Sequence, residues 1–134
     1  MTTGKKERVG IVGVGRMGLA MLKHLVKHGY QVTACDIDDK QLAKARDAGA
    51  AAAKTPAEVA RASDFVIIGV GYDDEVNQVV LGTDGLLADL ASGSVIAVSS
   101  TAKPDTVKAL EERAQARGVA VLDAPICPWP LRRR

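Results

Sequence analysis

Aromatic residues are nearly absent from the 134-residue chain: one Trp, one Phe and two Tyr, 3% in all. Its core must therefore be built from Val, Ile, Leu and Ala, a choice that suits buried parallel strands covered by helices. Cysteine is as scarce. Cys35 and Cys127 stand far apart and form no CxxC pair, so neither a disulfide framework nor a zinc site is indicated. A chain of this length buries roughly two-thirds of its unfolded surface and needs no such staple. Long apolar runs are missing too. The first apolar stretch behind the charged start is broken by Gly10, Gly13, Gly15 and Gly18. That excludes a signal peptide and a membrane span, and the chain reads as soluble and cytoplasmic. Charge of one sign is not in excess either: the net charge is +2, and Arg132, Arg133 and Arg134 account for it. With no aromatic RNA-binding pattern, neither nucleic acid nor membrane is expected as a partner, and the triple-Arg end reads as solvated.

What remains is ordinary globular composition, 47% hydrophobic and 25% charged. Val9-Gly10-Ile11-Val12 reads as a buried strand. Gly18, Met21, Leu22, Leu25 and Val26 recur at helical spacing, and His28-Gly29 closes that helix. Gln31 to Cys35 is β-rich and ends at Asp36. Asp38 or Asp39 caps a helix through Leu42 and Ala45, stopped by Gly49. Ala50 to Ala53 forms at most a weak strand. Thr55-Pro56-Ala57-Glu58 is a helix start, with Thr55 as cap and Glu58 three residues on. Phe65 to Val70 is the clearest strand, followed by helical faces at Val76, Val79 and Val80 and at Leu86, Leu87 and Leu90. Ser94 to Val98 is a strand, Pro104 opens a helix ending at Gly118, and Val119 to Leu122 is a sixth strand. Alternating strands and helices with short turns predict an α/β fold, a doubly wound parallel sheet of the Rossmann kind.

The loop after the first strand reads Gly13-Val14-Gly15-Arg16-Met17-Gly18. In a nucleotide fold, Gly13 permits the tight turn, Gly15 lets the backbone approach a pyrophosphate, and Gly18 lets the helix pack close to the strand. Free amides from Gly15 to Met17 would bind the phosphates. Alone, such a loop is weak evidence. Here it lies between a strand and an amphipathic helix, and Asp36 follows at close to the roughly 20-residue spacing of a ribose-binding acid. The plainer alternative makes Asp36 a solvated turn residue. A carboxylate there accepts from both ribose hydroxyls and repels a 2′-phosphate, so NAD is favoured, with NADP second. Asp38 and Asp39 add to the repulsion and Lys40 opposes it. No metal site is expected.

These residues resemble the β-hydroxyacid dehydrogenase family, which includes 3-hydroxyisobutyrate and 6-phosphogluconate dehydrogenases and related imine reductases. The resemblance runs from Val9 to Gly18 through Phe65 to Val70, Gly82-Thr83-Asp84-Gly85-Leu86-Leu87, and Ser99-Ser100-Thr101 with Pro104, to Asp123-Ala124-Pro125. It implies that Val70, Gly71, Glu75 and Thr101 lie along the cofactor and that Ser100 and Thr101 face substrate. Thr101 also fits a turn cap before Pro104. Val98 stands where the family often has Asp, and Gly71 where it often has Pro.

After Ile126 the pattern is lost. The family continues Asp-Ala-Pro-Val-Ser-Gly-Gly, whereas Cys127-Pro128-Trp129-Pro130 follows here, and prolines cannot supply the glycine amides. Residues 1–126 are thus expected to form the dinucleotide-binding domain and 127–134 a divergent Pro/Arg tail. The family's interdomain helix, with its catalytic Lys and Asn, and its helical domain have no counterpart, so the chain reads as a terminated or frameshifted dehydrogenase. Lys103 and Lys108 lie on or near the wrong helix, and no catalytic residue is assigned. The first expectation is an NAD(P)-binding oxidoreductase module that cannot transfer hydride alone, a small hydroxyacid being its substrate only if the missing domain completes it. The alternative is a free-standing regulatory module that senses nicotinamide cofactors. A reactive Cys127 beside the arginines is a third and weaker reading. Apolar surface that a helical domain covers in the family would favour a homo-oligomer.

Overall fold

A computed structural model describes residues 8–69, 73–99 and 103–123. Along them run β1 (Arg8–Val12), α1 (Arg16–Lys27), β2 (Gln31–Cys35), α2 (Asp39–Asp47), β3 (Ala51–Ala52) and α3 (Pro56–Arg61). These are followed by β4 (Phe65–Ile68), α4 (Asp73–Leu81), α5 (Leu86–Asp89), β5 (Val95–Val98), α6 (Pro104–Gln115) and β6 (Ala120–Asp123). Every strand pair is parallel, and the order across the sheet is β3-β2-β1-β4-β5-β6. The doubly wound α/β sheet expected from the alternation is therefore what forms.

Side-chain alternation explains why both faces are covered. Successive residues of a strand point to opposite faces, and in β1 both directions are apolar. Ile11 joins a cluster with Leu22 of α1, Ala45 of α2, and Val32 and Ala34 of β2. Val12 joins the larger cluster on the other face, with Val59 of α3, Val76 and Val80 of α4, Leu86 of α5 and Leu110 of α6. Leu22 is fully buried, a burial worth about 2 kcal/mol. Gly10 permits the closest helix–strand approach: a Cβ there would collide with the Val59 side chain and stand 2.6 Å from Ser63 Oγ.

Local chemistry sets the helix starts. Asp38, rather than Asp39, caps α2, its carboxylate accepting from the Lys40 amide at 2.9 Å. Thr55 caps α3 by accepting from the Glu58 amide at 3.2 Å. Glu58 Oε1 reaches back to the amide of Lys54, one residue before the cap, at 3.0 Å. Arg8 and Asp64 form an exposed ion pair at 2.9 Å. The Arg8 hydrogen bond holds the Asp64 carboxyl below the ordinary carboxylate range.

Most strand bounds differ from the sequence reading: β1 begins at Arg8 rather than Val9, and β3 covers only Ala51–Ala52 of the stretch 50–53. β4 stops at Ile68, not Val70, because Gly69 leaves the strand while its amide still donates to the Val12 carbonyl at 2.8 Å. β5 begins at Val95, one residue after Ser94, and β6 spans Ala120–Asp123 rather than 119–122. Val70 lies outside the described residues.

Candidate dinucleotide cleft

Each glycine of the loop has its own geometry. Gly13 turns the chain at φ +97, a left-handed conformation that costs other residues about 1–2 kcal/mol. Its amide donates to the Cys35 carbonyl at 2.9 Å, tying the loop to β2. Gly18, in the first turn of α1, leaves room for the Gly13 carbonyl oxygen, which a Cβ would approach to 2.5 Å. Gly15 is the N-cap, with extended backbone. A Cβ at Gly15 would meet nothing within 4 Å. Packing explains the small side chain at Gly18, but not at Gly15.

The start of α1 is electrostatically open. Among the described residues no side chain caps it, and its first turn holds no acid. α2 and α3, by contrast, are closed by Asp38 and by Thr55 with Glu58. The first amides of a helix have no intrahelical acceptor, and they stand at the positive end of its dipole. At α1 these are the amides beginning at Gly15, and an anion is the natural partner for them.

Asp36, directly after β2, faces this loop. Its Oδ2 accepts from the Val14 amide at 2.6 Å, and its Oδ1 accepts from the Asp38 amide at 2.8 Å. Each carboxylate oxygen has a second lone pair, so the group keeps capacity for hydroxyl donors. Val14 itself is fully buried. Its carbonyl accepts from the Gln41 side-chain amide, so both polar groups of Val14 are engaged within the protein.

A cleft of about 660 Å³ opens at the C-terminal ends of β1 and β4, where the strand order reverses. Gly13, Gly15, Asp36 and Glu75 line it together. Gly18 supports the loop from within α1. Arg16 is exposed and faces a separate hollow between α1 and α2. Met17 is also exposed, and neither it nor Arg16 is among the residues that line the cleft. Val70, Gly71, Ser100 and Thr101 lie outside the described residues.

Several further lining residues escaped sequence reasoning, among them Ile37, Lys54, Asp74 and Gln78. Ile37 carries a readable signal, an apolar residue set between Asp36 and Asp38 with no core face to join. It is 96% exposed, a bare apolar rim suited to a flat base. Lys54 and Gln78 give no such signal, since only the tertiary fold brings the start of α3 and the body of α4 to this place. Cys35 lies on the cleft floor, where burial first, then Asp36 and Glu58, push its thiol pKa up. A second hollow at the N-terminal strand ends, near Arg8 and Gln31, offers no comparable loop. In open α/β sheets the carboxyl ends carry the ligand.

A crevice at this switch point, floored by an uncapped glycine-loop helix, marks the Rossmann class of dinucleotide-binding domains. The model of one such family, the NAD binding domain of 6-phosphogluconate dehydrogenase, matches residues 8–127, and the chain belongs to that family. Among curated proteins it is 35% identical over 121 residues to the probable 3-hydroxyisobutyrate dehydrogenase-like 3, mitochondrial, of Arabidopsis thaliana. That match covers 90% of this chain and 38% of the relative. It is 34% identical to the mitochondrial 3-hydroxyisobutyrate dehydrogenase of Mus musculus, covering 90% and 36%. Among solved structures, the Mycobacterium tuberculosis 3-hydroxyisobutyrate dehydrogenase with L-serine superposes with a TM-score of 0.84 at 25% identity, covering 91% of this chain and 41% of that one. A structure of Psf3 in complex with NADP+ and 2-OPP gives 0.82 at 25% identity, covering 89% and 42%. The chain thus spans about two-fifths of the length of the relatives it matches, and the part matched is the NAD binding domain. Among the described residues no helix is long and apolar enough to cross a membrane.

Proposed function

We propose that the chain binds a nicotinamide dinucleotide across this cleft, NAD in preference to NADP, and that these 134 residues do not transfer hydride by themselves. The observation that carries the reading is the contrast at Gly15. Its missing side chain opens on empty space in the cleft, beside a helix start that carries no side-chain cap among the described residues. The pyrophosphate rests on the amides of Gly15, Arg16 and Met17. The ribose hydroxyls donate to Asp36, where a 2′-phosphate meets a carboxylate. Ile37 gives the adenine an apolar rim, and Glu75 borders the opposite wall. Resemblance to the family adds Val70, Gly71 and Thr101 along the cofactor, and Ser100 and Thr101 toward a small hydroxyacid. Residues 1–126 act as the binding domain, with 127–134 as a divergent segment. When bound, the nicotinamide supplies hydride acceptance or donation. The chain's own residues bind and orient it.

Calorimetric titration with NADH and NADPH in parallel tests the binding. NADH should bind, with NADPH weaker; binding of neither overturns the reading, and a preference for NADPH overturns the role of Asp36. Absorbance at the reduced-nicotinamide band with NAD+ and 3-hydroxyisobutyrate tests the second half, and turnover by this chain alone would refute it.

A further inference from the structure

Gln41 does not line the cleft. It lies in the hollow between α1 and α2 with Arg16 and Lys44, and its side-chain amide donates to the Val14 carbonyl. That carbonyl belongs to the peptide plane joining Val14 to Gly15. No cis peptide occurs among the described residues, and in a trans peptide the carbonyl and the amide point in opposite directions. Holding the carbonyl toward α2 therefore turns the Gly15 N–H away from α2, at the residue that lines the cleft. The preceding peptide is held as well: the Val14 N–H donates to Asp36 at 2.6 Å, and the Gly13 N–H donates to the Cys35 carbonyl at 2.9 Å. Gly13 and Gly15 are the freest residues of the loop, and glycine has the most conformational freedom to lose. Three successive peptide groups are thus fixed, by Cys35 of β2, by Asp36 just after it and by Gln41 of α2.

We propose that Gln41 is a positioning residue for pyrophosphate binding, setting the direction of the Gly15 amide through its bond to the Val14 carbonyl without touching the ligand. This rests on the dinucleotide reading above. Donation is the essential property, because a carbonyl can only accept. Gln41→Met keeps the length and removes the donor. Gln41→Glu keeps the shape and sets an acceptor against the carbonyl.

The test is titration of the full chain and both variants with NADH, alongside thermal melts. Wild-type chain that does not bind NADH refutes the dinucleotide reading itself. If wild type binds, Gln41→Met should bind about 5- to 10-fold more weakly, the worth of one lost hydrogen bond. Equal affinity overturns the proposal. A general loss of packing is separated from a lost donor by the pH profile of Gln41→Glu. Its affinity deficit relative to wild type should be largest at about pH 7.5 and shrink toward about pH 4.5, as the glutamate, ordinarily near 4.3, protonates and becomes a donor again. Effects of pH on Asp36 are common to both chains and cancel in the ratio. A deficit unchanged with pH overturns the proposal, whatever the melts give.

Discussion

The first turn of α1 passes so close to the glycine loop that a Cβ on Gly18 would stand 2.5 Å from the carbonyl oxygen of Gly13. Neither backbone can move aside cheaply, because Gly13 is tied to Cys35 and α1 is seated on the sheet through Leu22. Gly18→Ala should therefore lose about 1–3 kcal/mol in urea unfolding, the cost of overpacking. Gly15→Ala should behave in the opposite way. Nothing among the described residues meets its methyl group, so stability should fall by less than about 1 kcal/mol, the N-cap difference between the two residues. NADH affinity should drop at least tenfold, because the methyl enters the path of the phosphates. Wild-type affinity in Gly15→Ala would remove the cleft from consideration as the pyrophosphate site.

Asp36 serves both the protein and the proposed ligand. Removing it in Asp36→Ala leaves the Val14 and Asp38 amides without their acceptor. A loss of about 1–3 kcal/mol in stability should follow. The same change removes the charge that opposes a 2′-phosphate, so the ratio of NADH to NADPH affinity should narrow. Parallel titrations read that ratio, and a ratio equal to wild type would mean that selection lies elsewhere.

Ser63 is a flaw in the core that mutation can mend. The residue is 2% exposed, and its Oγ finds no hydrogen-bond partner among the described residues. It lies against Gly10, where α3 crosses β1. Since an unsatisfied buried hydroxyl costs about 1–3 kcal/mol, Ser63→Ala should raise the urea midpoint or leave it unchanged. A clear fall would show that the hydroxyl has a partner after all.

Cys35 should be slow to react. Burial, together with Asp36 and Glu58, raises its thiol pKa in the folded chain, and the thiolate is the reactive form. In a Cys127→Ser background, labelling at neutral pH should proceed only on unfolding. The sign of the linkage is fixed by the same shift. The folded chain holds this proton more tightly than the unfolded one, whose thiol titrates near 8.5. This contribution is complete below that pH and is lost as pH rises through the folded value. Melts from pH 7 to 10 should fall more steeply for the Cys35 chain than for Cys35→Ala, and parallel curves would deny the shift.

Fold and loop were legible in the sequence because both rest on short-range patterns. The apolar run at Phe65, the helical spacing from Gly18 to Val26 and the Thr55-Pro56 start each need only neighbouring residues to declare themselves. Asp36 was found by spacing alone. Gln41 and Lys54 were not, since their roles depend on how α2 and α3 are seated on the sheet, which no local period records. Val14 belongs to the loop expected to bind the cofactor, whereas the fold buries it and engages both of its polar groups. The end of β4 was overread because Val70 continues the apolar run, while Gly69 has already left the strand.

β1 lies in the interior of the sheet, between β2 and β4. The residues proposed to hold the phosphates and the adenosine, from Gly15 to Met17 and then Asp36 and Ile37, all precede β4 in the chain. On a ribosome, therefore, the whole of that wall is synthesised before the strand that will flank it on the other side. The wall bearing Glu75 and Gln78 emerges later still, after β4, the strand that pairs with the other edge of β1. Order of emergence thus separates the two walls of the cleft in time, and the one meant for the adenosine comes first.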